Sequence, residues 1–150
     1  MNQGEYIAPE RLEDIYVRSR WIAQVFVDGI STESNVVAIV VPDEEYLRKQ
    51  IPKLSGANSI AEICRDEKLK ETIFKDMQRL AKDAKFKYYE IVSNIYLHPE
   101  PFSQENGLIT STMKTRRTAV RQKFQQVIHS LYSSNAHPTS NADSAPISKL

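Results

Sequence analysis

The sequence predicts a small α+β domain, about three strands (an antiparallel hairpin plus one) packed with helices, and three observations carry that expectation. Two strand-like segments follow one another at residues 21–28 and 36–41. A long amphipathic helical pattern covers residues 68–85, and a third strand-like segment follows at 91–97. Strands separated by helices, with a hairpin among them, favour a layered sandwich over a helical bundle.

The elements follow in order. Pro9 suits a first helical turn, where its missing N–H is not needed. Glu10, Glu13 and Asp14 favour the same helix start through the macrodipole, and Leu12, Ile15 and Tyr16 give that helix one apolar side. Residues 21–28 then alternate: Trp21, Ala23, Val25 and Val27 on one face, Ile22, Gln24, Phe26 and Asp28 on the other, with Gly29 ending the strand. Val36-Val37-Ala38-Ile39-Val40-Val41, stopped by Pro42, reads as a strand buried on both faces, and the polar link 30–35 joins it to the first as an antiparallel hairpin. Asp43 caps a short helix through Gln50, and Ser59 caps another through about Cys64. In the long helix, Leu69, Ile73, Met77, Leu80 and Ala84 recur at three or four residues, joined by Phe74 and Ala81. The strand at 91–97 ends in His98-Pro99-Glu100-Pro101. Val120, Phe124, Val127, Ile128, Leu131 and Tyr132 mark one final amphipathic helix. The expected domain spans residues 1–132; the Ser-, Asn-, Ala- and Pro-rich residues 133–150 cannot bury enough surface to offset ordering entropy and read as a disordered tail.

Size and composition set bounds. A chain of 150 residues is one domain with a tail, and its 41% hydrophobic share suits one modest core. No segment reaches the apolar length of a membrane span. Twenty basic residues against 19 acidic give no broad grip on nucleic acid. The single cysteine, Cys64, excludes an internal disulfide and reads as a buried, inert thiol. His98, His129 and His137 have no ligand-like spacing, so no metal site is expected.

The segment with chemical character is Asn106-Gly107-Leu108-Ile109-Thr110-Ser111-Thr112-Met113-Lys114-Thr115-Arg116-Arg117, a glycine-led, hydroxyl-rich loop that delivers a lysine just before a basic helix. Gly107 eases a tight turn, and Thr110 and Thr112 shape the loop through local hydrogen bonds. From spacing alone, Lys114 reads as a solvated lysine ahead of a helix. Arg116, Arg117, Arg121 and Lys123 likewise read as a solvated helix face, or else as a patch for an acidic partner or for phosphates.

Three segments, in order, resemble long-chain acyl-CoA synthetases of the adenylate-forming superfamily over about residues 3–132. They are Gln3-Gly4-Glu5-Tyr6-Ile7-Ala8-Pro9-Glu10 with Glu13; Trp21-Ile22-Ala23-Gln24-Val25-Phe26-Val27-Asp28-Gly29 leading into the second strand; and Pro101-Phe102-Ser103 through Asn106–Thr110 to Thr112-Met113-Lys114. The resemblance implies the C-terminal domain of a long-chain fatty acid–CoA ligase, which uses ATP and Mg2+ to form an acyl-adenylate and then coenzyme A to form the thioester. It implies Lys114 as the adenylation lysine, and Gly4, flanked by Glu5 and Tyr6, beside the coenzyme A channel. Ser111 stands where many family members have proline, which leaves the loop less rigid. The phosphate-binding loop, the magnesium and ribose ligands and the hinge upstream of Asn2 would belong to a large N-terminal domain, the implied partner. The 150-residue chain alone is therefore expected to be inactive. The competing reading is a stand-alone, non-catalytic interaction module. Ser148-Lys149-Leu150 reads as a peroxisomal address, recognised by an import receptor after synthesis in the cytosol.

Overall fold

The computed structural model describes residues 8–29, 35–51 and 59–135. Helix α1 (Pro9–Tyr16) begins with proline in its first turn and buries Leu12 and Tyr16. Strands β1 (Ile22–Asp28) and β2 (Val36–Pro42) pair antiparallel, as the alternation and the β-branched run require. Two short helices follow: α2 (Glu44–Gln50), capped by the Asp43 carboxylate, and α3 (Ile60–Ile63), closed by a reciprocal Ser59–Glu62 capping box. Helix α4 (Glu67–Asp83) is capped by Asp66, and it buries Leu69, Ile73, Met77 and Ala81 along one stripe. It stops in a Schellman turn: Lys85, at φ 59°, takes the left-handed position usually given to glycine, and the Phe86 N–H reaches back to the Ala81 carbonyl at 2.9 Å. After a single 3-10 turn at Tyr88–Glu90, strand β3 (Val92–Leu97) lies parallel to β2, so the sheet order is β1-β2-β3.

Because β2 is apolar at every position, both faces of the sheet must be covered. Val36, Ala38 and Val40 face a core built with α1, α3 and α4; Val37, Ile39 and Val41 face a second core built with the C-terminal helices and the base of the lysine loop. Tyr16 ties the first layer together: its buried hydroxyl donates to the Glu90 carbonyl (2.9 Å) and accepts from the Val92 N–H (3.0 Å). Burial pushes that phenol up to about 12.

Two expectations need correction. Ile22 does not share a face with Phe26. A bulge between Ile22 and Gln24 shifts the alternation, so Ile22 joins Val25 and Val27 in the first core. The final helix is also not continuous: α5 (Arg117–Lys123) and α6 (Gln125–Asn135) meet at Phe124, whose backbone (φ −105°, ψ 19°) leaves the helical region. At the break the Phe124 ring stands edge-on to His98, 4.7 Å between centroids, and also meets Tyr96 and Phe102. Helix α6 continues to Asn135, past the composition change at residue 133, while residues 136–150 lie outside the described residues. Among the described residues no helix is long and apolar enough to cross a membrane.

The His98 imidazole is pinned in this aromatic cluster, with its buried Nδ1 lacking a partner among the described residues. Burial, and then the Lys123 charge, hold its pKa below 6.5, while Glu100 opposes them weakly. A histidine so depressed binds its proton more readily in the unfolded chain, so its contribution is intact above about pH 6.5 and falls as the pH drops through that value. We expect the His98 ring protons to titrate below 6.5 by NMR, and His98→Phe to reduce the loss of stability between neutral and mildly acidic pH in denaturant titrations.

Candidate functional site

The lysine loop is a braced structure, and each brace is local chemistry that the sequence supplies. Asn106 organises its entry: its Oδ1 accepts from the Ser103 N–H (2.9 Å) and the Leu108 N–H (3.3 Å), and its amide donates to the Pro101 carbonyl (3.0 Å). Gly107 lies at φ 80°, a conformation that strains any residue with a Cβ even though the space beside it is open. Leu108 and Ile109 then drop into the second core and anchor the base of the loop.

From that base the chain rises to an exposed tip and returns. Ile109 and Thr115 form an antiparallel bridge, the Thr110 N–H donates to the Lys114 carbonyl (2.7 Å), and the Arg116 N–H donates to the Leu108 carbonyl (2.8 Å). Within the turn, the Thr110 hydroxyl accepts from the Lys114 N–H (3.1 Å) and lies 3.1 Å from the Thr112 hydroxyl. Met113 takes a left-handed backbone, φ 65°, and its side chain is 69% exposed at the tip. Lys114 is exposed beside it, and among the described residues no carboxylate pairs with its ammonium. Lys114, Gly107, Thr110 and Thr112 thus share one loop. Gly4, Glu5 and Tyr6, and the terminal Ser148, Lys149 and Leu150, lie outside the described residues.

Both legs of the loop are fastened to β1, an edge strand of the sheet. On the entering leg, Gln24 and Phe102 exchange two hydrogen bonds: the Phe102 N–H donates to Gln24 Oε1 (2.7 Å), and Gln24 Nε2 donates to the Phe102 carbonyl (3.1 Å). On the departing leg, Arg117 donates to Glu13 Oε2 (2.8 Å) and to the Val27 carbonyl (2.6 Å), and its guanidinium stacks 4.4 Å above the Phe26 ring. Glu13 in turn accepts from the Val27 N–H (2.8 Å), which closes a ring around that peptide position. Burial raises the Glu13 pKa, with the hydrogen bonds from Arg117 and Val27 pulling it back.

The basic patch therefore needs revision. Arg117 is not a solvated residue: its side chain is 21% exposed and bridges α1, β1 and α5. Arg121 forks onto Asp28 at 2.8 and 3.1 Å, which raises the guanidinium pKa further. Sequence reasoning missed Gln24, Glu13 and Arg117 as anchors of the loop. One signal was present, a glutamine among the apolar residues 21–27 of a strand. Cys64 lies in a different concavity of about 590 Å3 along the β3 edge, and burial pushes its thiol up to about 11. Beside the lysine loop is a smaller groove of about 250 Å3, bounded by Glu13, Val17, Gln24, Ile109 and Met113. Among the described residues no three His, Cys, Asp or Glu side chains gather to hold a metal ion.

No protein-family model matches the chain. It is 50% identical over 131 residues to long-chain-fatty-acid–CoA ligase 1 of Homo sapiens and 46% identical over 132 residues to ligase 5 of Rattus norvegicus, covering 87% and 88% of this chain. It is also 36% identical, over 87% of its length, to the long chain acyl-CoA synthetase 7, peroxisomal, of Arabidopsis thaliana. The chain spans only 19% of the length of each of these relatives. Among solved structures it matches the A-PCP didomain of a carboxylic acid reductase from Segniliparus rugosus in complex with AMP, with TM-score 0.75 and 28% identity over 92% of this chain and 17% of that one. It also matches the adenylation domain of a carboxylate reductase from Mycobacterium chelonae, with TM-score 0.71 and 29% identity over 87% of this chain and 18% of that one. The chain is homologous to a segment of the long-chain-fatty-acid–CoA ligases, with the α+β fold of a domain of adenylate-forming enzymes.

The two arginine pairs should differ in stability. Arg117→Ala leaves the 14%-exposed Glu13 side chain without its cation and should cost about 2–4 kcal/mol. Arg121 is itself 53% exposed and its pair is partly screened, but the Asp28 side chain is only 5% exposed and loses its guanidinium partner, so Arg121→Ala should cost less, about 1–2 kcal/mol. Urea unfolding of both variants beside the parent chain checks the order.

Proposed function

We propose that this chain, as a homologue of the long-chain-fatty-acid–CoA ligases, is the small C-terminal domain of such an enzyme and that Lys114 serves its adenylation step. The observation that carries the proposal is an exposed lysine, unpaired among the described residues and held at the end of a braced loop, in a chain 50% identical to a fatty acid–CoA ligase. In that reaction a fatty acid and ATP give an acyl-adenylate and pyrophosphate, and the thiol of coenzyme A then displaces AMP.

The chemistry asked of Lys114 is electrostatic. A carboxylate must approach a triphosphate of the same sign, and a fixed cation between them reduces the repulsion in the transition state. At ~4 Å with an effective dielectric near 20, one unit pair interacts by about 4 kcal/mol before desolvation. The loop supplies the fixing: its backbone is closed by the Thr110–Lys114 hydrogen bonds, so little ordering is left to do when substrate arrives. Magnesium and most of the ATP and acyl chain would be held by the remainder of the ligase. The coenzyme A step is assigned to the segment around Gly4, with Glu5 and Tyr6 beside it. The peroxisomal destination rests on Ser148-Lys149-Leu150, with the location carried in the name of the Arabidopsis relative as support.

In a full-length ligase containing this domain, Lys114→Ala should slow acyl-adenylate formation by about a hundredfold or more, measured by ATP–pyrophosphate exchange. Thioester formation from supplied acyl-adenylate should change far less. Equal loss in both half-reactions would count against the role. The purified 150-residue chain should give no acyl-CoA in a coupled assay. A fluorescent fusion should lose its peroxisomal location when Ser148–Leu150 are deleted; a fusion that is cytosolic with or without them removes that part of the proposal.

A further inference from the structure

We propose that Arg117 and Gln24 are positioning residues for Lys114: together they clamp both legs of the lysine loop to strand β1 and so set where the ammonium is delivered. The inference rests on the adenylation role given to Lys114 and goes beyond it, because neither residue is at the tip of the loop. The two anchors differ in chemistry and converge on one support. Gln24 holds the entering leg through its paired hydrogen bonds with the Phe102 peptide groups, and Arg117 holds the departing leg through Glu13, the Val27 carbonyl and the Phe26 ring. Gln24 and Val27 are on the same short strand, whose register is set by its pairing with β2 at the centre of the sheet.

Between these anchors the loop has little freedom. Leu108 and Ile109 are buried, the Ile109–Thr115 bridge joins the legs, and the Arg116 N–H is bound to the Leu108 carbonyl. Arg117 is three positions beyond Lys114 along the chain, and at ~3.3 Å per extended residue even a small displacement of its backbone is carried to the lysine. Its fork is suited to this because one planar guanidinium reaches a carboxylate and a carbonyl at once, which an ammonium does less well. Gln24, in the same way, satisfies a donor and an acceptor of a single residue.

The test has two readouts. In the 150-residue chain, amide exchange by NMR follows the Thr110 and Arg116 N–H groups relative to those of β2. In a full-length ligase containing this domain, the two half-reactions are measured separately. For Arg117→Gln and for Gln24→Ala we expect loop amides to exchange about tenfold faster relative to β2, and adenylation to slow about tenfold while thioester formation stays within about twofold. Unchanged loop exchange, or equal slowing of both half-reactions, overturns the positioning role. So does normal adenylation in both variants when Lys114→Ala is slow. If Lys114→Ala itself leaves adenylation intact, the adenylation reading falls, and the positioning role falls with it even where the loop loosens. Should Arg117→Gln fail to fold, Gln24→Ala, which removes no charge, decides by the same measurements.

Discussion

The ring of hydrogen bonds among Arg117, Glu13 and the Val27 peptide groups is the constraint that fastens the departing leg of the lysine loop to the sheet. An edge strand offers unpaired N–H and C=O groups that would otherwise take up water or another strand. Here the Val27 N–H is taken by a carboxylate from α1 and its carbonyl by a guanidinium from the start of α5. The same contact fastens three elements far apart in sequence and satisfies two charges that would be costly to bury alone. Stacking on Phe26 adds apolar contact and fixes the plane of the fork.

The clamp works because the sheet beneath it is immobilised from both sides. Strand β2 is apolar along its whole length, so a single helical layer could not have satisfied it. Helices α1, α3 and α4 cover one face; α5, α6 and the base of the lysine loop cover the other. The loop is therefore part of the second core at Leu108 and Ile109 and part of the surface at Thr112, Met113 and Lys114. That division lets a cation stand exposed while the backbone behind it stays in place, which is the condition for electrostatic help without reorganisation.

Much of the fold was legible because its signals are local. The β-branched run ended by Pro42, the Asp43 and Ser59 caps, and the stripe of Leu69, Ile73 and Met77 each specify structure through residues within a turn or two. The exceptions also have local causes that only geometry displays. One bulge moved Ile22 to the opposite face, and one residue outside the helical region divided the last helix at Phe124. Neither leaves a distinctive residue behind, since Ile22 and Phe124 are apolar and buried in either arrangement.

For the site, the sequence by itself determined that a glycine-led, hydroxyl-rich loop carries a lysine ahead of a helix, and its likeness to acyl-CoA synthetases singled out that lysine. Charge counting could not tell Arg117 from its neighbours, because a guanidinium on a helix looks solvated until its partner is known. That partner, Glu13, is 104 residues away along the chain, and the peptide it shares with Arg117 is 90 away. Only the tertiary structure could bring them together, because packing α1 and α5 against one end of β1 is a property of the whole sheet. Sequence determined which charges are present; the fold decided that Arg117 is paired with Glu13 while Lys114 stands exposed.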